Sequence, residues 1–164
     1  GEGNEDSGED GINDIKGYNL TAKDTVVGIS VAGNAAYVVK TLEYAKNLGC
    51  LTVGITSNEG SLTDKVSDIS IVPDTGAEVV TGSTRMKAGS AQKFILNMIS
   101  TSVMIKCGYV YENLMINLRP TNIKLTRRMV TIVCDILGVS EDEAKRLLDE
   151  NDWSIRKVVD NANK

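Results

Sequence analysis

The sequence of 164 residues contains no histidine, and this absence restricts the chemistry that the chain can perform. Without histidine, the Ser-His-Asp and Cys-His hydrolase mechanisms are excluded, so acid–base catalysis would depend on carboxylates, lysine, tyrosine or water. Zinc sites also lose their usual nitrogen ligand, and no pair among the three cysteines has the spacing of a zinc site. We therefore expect no metal site.

Cysteines, aromatic residues and long apolar runs are also scarce. Cys50, Cys107 and Cys134 are odd in number and lie beside apolar runs, so we expect three buried thiols in a reducing compartment, the cytoplasm. Aromatic residues make up 4% of the chain, which predicts an aliphatic core. No apolar run approaches the roughly 18 residues that span a bilayer. The net charge of -4 argues against a nucleic-acid or anionic-membrane partner.

The first eleven residues, GEGNEDSGEDG, contain four glycines and five acidic residues. By composition this segment reads as a frayed acidic tail, followed by a short helix that ends near Gly17. It has neither the positive region nor the apolar region of a signal peptide. The first residue is glycine rather than methionine, which suggests a fragment.

From residue 25 onward, short β-branched runs alternate with helical patterns. This alternation predicts an α/β fold with a parallel sheet covered by helices on both faces, in three layers. The predicted strands are Thr25–Ser30, Leu51–Thr56 and Ile69–Val72. The predicted helices are one of residues 35–48 capped by Asn34, one turn of residues 61–66, and a long helix from Ser83 or Thr84 to Lys106.

In the last third of the chain the alternation of strands and helices gives way to a mainly helical pattern. Asn113–Arg119 is predicted as a final strand, after which Pro120 breaks the run. Three helices should follow, over Asn122–Leu137, from a capping box at Ser140 to Glu150, and from Trp153 onward. We therefore predict two domains, of residues 1–119 and 120–164, the second being a small helical bundle.

Two loops could bind a ligand at the carboxyl ends of the strands, where helix N-termini favour anions. The first loop, Ser30 to Asn34, consists of small residues that would let backbone amides approach a phosphate or a sugar. Short loops of this composition are common, so the signal is weak.

The second candidate loop is EVVTGSTRMK at residues 78–87. An ordinary helix cap explains one of its three hydroxyl groups, and its two cations would oppose the helix dipole. A polyol or phosphate ligand explains them better. The candidate binding residues are Ser30, Asn34, Glu78, Thr81, Ser83, Thr84, Arg85 and Lys87.

Two stretches of sequence resemble a known family over nearly the whole chain. GNEDSGEDGINDIKGYNLTAKDTVVGIS and EVVTGSTRMKAGSAQKFILNMIS are closely similar to the C-terminal half of the N-acetylmuramic acid 6-phosphate etherases, which contain SIS (sugar isomerase) domains. YENLMINLRPTNIKL extends the resemblance into the helical tail. The glucokinase regulatory protein is a more distant relative. The resemblance implies an SIS-type fold and a phosphorylated amino sugar as ligand.

The resemblance also implies a reaction. These enzymes cleave the D-lactyl ether of their substrate, without metal or cofactor, to give N-acetylglucosamine 6-phosphate and D-lactate. A carboxylate removes the proton at C2, lactate leaves from C3, and water then adds. The family motif EGxED places a catalytic glutamate at Glu5, so the acidic segment would lie in an active site. The other catalytic glutamate and a phosphate-binding loop belong to the family's first half.

One loop departs from the family pattern. Etherases usually read ASGRTPYV where this chain reads VAGNAAYV, so two hydroxyls and a guanidinium are replaced by Ala32, Ala35 and Asn34. The chain could therefore be an etherase half or a non-catalytic sugar-phosphate module resembling the glucokinase regulatory protein. An aldose–ketose isomerase would share the fold, but the TGSTRMKAGSAQK motif matches the etherases better. Exposed apolar positions on the long helix predict a homodimer or association with an N-terminal half.

Overall fold

The computed structural model describes residues 2–162, which form two compact units. One unit extends to Leu96 and the other begins at Asn97. The domain boundary predicted between residues 119 and 120 stays a prediction. Among the described residues, no helix is both long enough and apolar enough to cross a membrane.

The first unit is built on a three-stranded parallel sheet in the order β1-β2-β3, which confirms the predicted α/β class. Val27 of β1 pairs with Val53 of β2, and Val53 pairs with Ile69 of β3. Short runs rich in β-branched residues form these strands, as the strand propensity of branched side chains predicts, and β2 at the centre is the most buried of the three. The elements of this unit are α1 (Gly8–Lys16), β1 (Thr25–Ile29), α2 (Ala36–Asn47), β2 (Leu51–Ile55), α3 (Leu62–Val66), β3 (Ile69–Ile71) and the first half of α4 (Lys87–Lys106).

Helices α2 and α3 pack on the same face of the sheet. A side chain at Gly28 would collide with Val38 and Leu42 of α2, and one at Gly54 would collide with α3. Because these two glycines are register partners, both helices lie on that face. On the opposite face, Val27 and Ile69 are 39% and 48% exposed, whereas Val53, which lies between them, is only 8% exposed.

The interpretation of the N-terminal segment as a frayed tail is wrong for the residues that the structure describes. Residues 2–4 form a 3-10 turn, and α1 begins at Gly8. The Ser7 hydroxyl accepts a hydrogen bond from the Asp10 amide at 3.3 Å. Glu9 and Asp10 lie in the first turn, where negative charge stabilises the positive end of a helix. Their acidity therefore supports the helix instead of preventing it. Gly1 lies outside the described residues.

The predicted cap of α2 and the predicted start of α4 are also wrong. The residue before α2 is Ala35, which makes no side-chain cap, and the Asn34 side chain instead accepts from the Leu62 amide at the start of α3, at 3.3 Å. Helix α4 begins at Lys87 rather than at Ser83 or Thr84. Its first two amides, of Lys87 and Ala88, donate to the carboxylate of Glu78.

The second unit contains the second half of α4, a small hairpin and three further helices. Strand β4 (Val110–Tyr111) pairs antiparallel with β5 (Leu114–Met115), so the predicted strand over Asn113–Arg119 is wrong in extent and lies outside the parallel sheet. The helices are α5 (Ile123–Leu137), α6 (Glu141–Glu150) and α7 (Ile155–Ala162), which confirms the predicted helical bundle. Asn122 caps α5, Ser140 caps α6, and Gly138 ends α5 in the left-handed conformation.

The core of the second unit lies between its three helices. Fully buried aliphatic side chains from each helix meet there, and Ile116 packs against them from beyond the hairpin. The central residues are Met129, Val133, Leu148, Ile155 and Val158.

The three cysteines do not share one environment. Cys50 is buried, as predicted, and its thiol donates to the Thr21 carbonyl. Cys134 is half-buried, but Cys107, at the end of α4, is exposed, so the prediction of three buried thiols is wrong at that position.

Candidate functional site

A cavity of about 690 Å³ lies at the carboxyl end of β1, where a parallel sheet usually presents its ligand site. The loop after β1 forms one side of it, and residues before α1, on α1, on α2 and around the start of α4 complete it. Its lining residues are Asn4, Glu5, Asp14, Ile29, Ser30, Val31, Ala32, Ala35, Tyr37, Val38, Thr84 and Gln92.

The loop after β1 is fixed by its own hydrogen bonds. Ser30 is 9% exposed; its amide donates to the Ile55 carbonyl of β2, and its hydroxyl accepts from the Gly33 amide at 3.1 Å. Gly33 has a φ of +76°, and a Cβ there would collide with Ser61 and Thr56. Glycine is therefore required at this position both by backbone conformation and by space. The loop is a rigid wall of the cavity.

Glu5 lies at the cavity beside Asn4. Its carbonyl accepts a hydrogen bond from the Tyr37 amide in the first turn of α2, at 3.1 Å. This bond joins the N-terminal segment to α2, although 32 positions separate the two residues in sequence. The structure thus brings the predicted catalytic carboxylate to the same cavity as Ser30.

Tyr37 contributes a second bond at this cavity. Its phenol donates to Asp14 Oδ2 of α1 at 2.8 Å. This hydrogen bond, followed by partial burial and the negative charge of Asp14, raises the pKa of Tyr37 above its usual range. The phenol is therefore a hydrogen-bond donor at neutral pH and not a base.

The region around the start of α4 supplies Thr84 and Gln92 to the cavity. The Thr84 carbonyl accepts from the Gly89 amide at 3.1 Å, which connects the loop to the first turn of the helix. Both side chains can donate or accept hydrogen bonds, as a polyol ligand requires.

Glu78 has a structural partner that the sequence did not reveal. Its two carboxylate oxygens accept from the amides of Lys87 and Ala88, each at 3.1 Å, so Glu78 caps α4. A carboxylate at this helix end provides the negative charge that the dipole favours. The cations at Arg85 and Lys87 therefore do not by themselves require an anionic ligand.

Of the nine residues predicted for the site, the structure places three at the cavity: Glu5, Ser30 and Thr84. The other six do not line it, and their roles toward a ligand stay predictions. These are Asn34, Glu78, Thr81, Ser83, Arg85 and Lys87.

Sequence reasoning missed four polar lining residues: Asn4, Asp14, Tyr37 and Gln92. Tyr37 lies in the VAGNAAYV segment and Asn4 adjoins Glu5, so their proximity to the motifs was a usable signal. Asp14 and Gln92 are single polar positions on helices, and nothing local distinguishes them from solvated residues.

No group of three or more Cys, Asp or Glu side chains within residues 2–162 is arranged to hold a metal ion. The cavity itself presents carboxylate, hydroxyl, amide and phenol groups. Such a set can hydrogen-bond the hydroxyls of a sugar and can move protons.

Proteins of known sequence show similarity to this chain. An N-acetylmuramic acid 6-phosphate etherase of Escherichia coli O9:H4 (strain HS) and one of Shigella sonnei (strain Ss046) are each 54% identical over 147 residues. One from Escherichia coli O1:K1 / APEC is 53% identical over the same length. Each alignment covers 90% of this chain and 49% of the relative, so the chain spans about half the length of these curated relatives.

A solved structure of a hypothetical protein covers 54% of this chain and 51% of its own, with a TM-score of 0.45 and 21% identity, and this limited likeness supports no conclusion. The family model described as "SIS domain" matches residues 11–102, more than half of the chain. That match includes the sheet, α2, α3 and most of α4. The chain therefore belongs to the SIS domain family.

Proposed function

We propose that this chain binds a phosphorylated amino sugar and forms part of an N-acetylmuramic acid 6-phosphate etherase, a carbon–oxygen lyase. Relatives that bear this name are 54% identical to it over 147 residues. The observation that carries the proposal is the position of Glu5, which lines one cavity with Ser30 and Thr84 although the three are far apart in sequence.

In the proposed reaction, Glu5 acts as the base. It takes the proton from C2 of the sugar, the C3–oxygen bond breaks, and the lactate oxygen receives a proton as D-lactate leaves. Water then adds across the resulting double bond, giving N-acetylglucosamine 6-phosphate. Carboxylates can serve the proton transfers, Glu5 being one and the second glutamate that the resemblance implies being the other, and neither step needs histidine. Hydroxyls of the bound sugar would contact Ser30 and Thr84 at the cavity wall.

A non-catalytic sugar-phosphate module is the second candidate, and one observation favours it. Ala32 and Ala35 line the cavity at positions where etherases usually carry hydroxyls. Each missing hydrogen bond lowers affinity by about 1 kcal/mol. A chain that kept binding and gave up turnover would tolerate such losses.

The exposed apolar surface supports a macromolecular partner, either a second copy or a companion that supplies the other half of the family's length. Large apolar side chains are exposed along α4, an unusual arrangement for a monomer. They include Phe94 (65%), Leu96 (41%), Met98 (47%), Met104 (47%) and Ile105 (53%). Within residues 2–162, β1 is an edge strand that pairs with another strand on one side only. Cell-wall sugar recycling in the cytoplasm is the setting that we propose for this activity.

D-lactate release from N-acetylmuramic acid 6-phosphate tests the proposal. The chain combined with a companion half from a relative should release D-lactate, and the chain alone should not, because the second glutamate implied by the resemblance is absent from it. Ligand binding without any D-lactate release in the combined protein would favour the non-catalytic module. Robust release by the chain alone would show that the catalytic set lies within these 164 residues.

A further inference from the structure

Helices α1 and α2 approach each other closely beside the cavity. A side chain at Gly11 would collide with Thr41 and with the Tyr37 carbonyl, and one at Gly8 would collide with Lys40. The Thr41 hydroxyl also donates to the Tyr37 carbonyl at 2.7 Å. Groups on these two helices therefore keep a fixed relative position.

Tyr37 lies at the centre of this arrangement. Its amide donates a hydrogen bond to the Glu5 carbonyl at 3.1 Å, and its phenol donates one to Asp14 Oδ2 at 2.8 Å. All three residues line the same cavity. One tyrosine thus fixes both a backbone segment and a carboxylate at the candidate site.

We propose that Asp14 binds the sugar ligand by accepting a hydrogen bond from one of its hydroxyl or amide groups, and that Tyr37 is the positioning residue for Asp14. The inference rests on the proposed function, because it concerns the same cavity and the same class of ligand. It adds a carboxylate whose task is recognition, separate from the proton transfer assigned to Glu5.

The partners of Asp14 agree with this role. Within residues 2–162 no lysine or arginine forms an ion pair with Asp14, whose side chain is bonded by the Tyr37 phenol. A carboxylate has two oxygens and accepts several hydrogen bonds, so bonding at Oδ2 leaves capacity for a ligand donor. Hydrogen bonds that involve a charged group are stronger than neutral ones, which makes such a carboxylate an effective sugar ligand.

The chemistry of Tyr37 supports a positioning role. A tyrosine phenol is protonated at neutral pH, and the hydrogen bond to Asp14 raises its pKa further, so the group keeps donating. A donated hydrogen bond restricts the rotation of the carboxylate, and a preoriented acceptor costs less entropy when the ligand binds.

Isothermal titration of the chain with N-acetylglucosamine 6-phosphate tests the inference through four variants. Asp14→Asn should weaken binding by about tenfold, because it replaces a charged acceptor. Tyr37→Phe should weaken binding by roughly three- to tenfold, since the phenol acts through Asp14. The double variant should bind no more weakly than Asp14→Asn alone, because the two changes remove one shared interaction.

Tyr44→Phe is the matched control. Tyr44 lies on the same helix beside α1, where its ring is 5.8 Å from Lys16 Nζ, but it does not line the cavity. Phenylalanine keeps that ring contact, so affinity should stay within about twofold of wild type. Equal thermal unfolding midpoints for all variants would show that each still folds.

The outcomes separate the two proposals. Unchanged affinity in Tyr37→Phe, or losses that add in the double variant, would overturn the inference and leave the proposed function standing. If wild type does not bind the sugar phosphate either alone or combined with a companion half, the proposed function fails, and the inference fails with it.

Discussion

Thr84 and Ser83 are adjacent hydroxyl residues, yet only Thr84 is among the residues that line the cavity. Their positions in the sequence motif do not distinguish them, since both precede a long helix and both could cap it. In the structure neither caps α4, because its first amides bond to Glu78. Because Thr84 lines the cavity and Ser83 does not, single substitutions at the two positions test whether the cavity binds the ligand.

Thr84→Val should weaken the binding of N-acetylglucosamine 6-phosphate, because it removes a hydroxyl and keeps the shape of the side chain. The loss of one hydrogen bond corresponds to about 0.5–1.5 kcal/mol in binding free energy. Ser83→Ala serves as the control and should change affinity much less. Calorimetric titration of both variants measures the difference. Equal losses in the two variants would contradict the assignment of Thr84 to the site.

At the scale of elements, Asp68 joins α2, β2 and the turn before β3. Its carboxylate pairs with Lys46 of α2 at 2.8 Å and accepts from the amide and hydroxyl of Thr52 in β2, at 3.0 and 2.7 Å. The bonds from Lys46 and then from Thr52 lower the pKa of Asp68 from 3.8 to about 2. The charged form therefore stabilises the folded state.

The lowered pKa of Asp68 predicts how stability depends on pH. Its contribution should be fully present above pH 3.8 and should disappear as pH falls toward about 2, where the folded-state carboxylate becomes protonated. The free energy of unfolding of Asp68→Asn, measured by urea denaturation, should thus lie below that of wild type at neutral pH and converge on it in acid. Lys46→Met should show a smaller deficit at neutral pH, because the bonds from Thr52 remain. A deficit of Asp68→Asn that stays constant down to pH 2 would contradict this account.

Elements with local signals could be predicted from the sequence. The runs at 25–29 and 51–55 are short and β-branched, and Ser140 precedes α6 with a cap that the structure confirms. The glycine after α5 likewise ends that helix as expected. In each case the residues that determine the element lie within a few positions of it.

Elements whose signals are distant could not be predicted in this way. Glu78 bonds amides nine and ten residues later, and Asn34 bonds the amide of Leu62, 28 residues later. The end of α1 near Gly17 was predicted, but its acidic composition obscured its start at Gly8, where α1 packs closely against α2. For the same reason, only part of the candidate site could be predicted. Local motifs identified Glu5, Ser30 and Thr84, whereas Asp14 lies at the cavity because α1 packs against α2.

At the scale of the whole molecule, the exposed apolar residues of α4 should promote self-association of the isolated chain. Phe94 is 65% exposed on this helix. Phe94→Lys should shift the chain toward monomer in sedimentation-velocity experiments over a range of concentrations, since burying a lysine charge at an interface is costly. Leu62→Lys is the control, because Leu62 is 49% exposed on α3 rather than on α4. Identical sedimentation of wild type and Phe94→Lys would show that this surface does not drive association.

The most direct test of the account is the rate of D-lactate release by the chain combined with a companion half, for wild type and for Glu5→Gln. The substitution keeps the size of the side chain and removes the base, so turnover should fall by a factor of about 10² or more while affinity for the sugar phosphate stays within a few-fold. Glu9→Gln makes the same change on α1, at a residue that does not line the cavity, and should leave turnover close to wild type. Near-normal turnover in Glu5→Gln would contradict the account, because Glu5 would then not be the base.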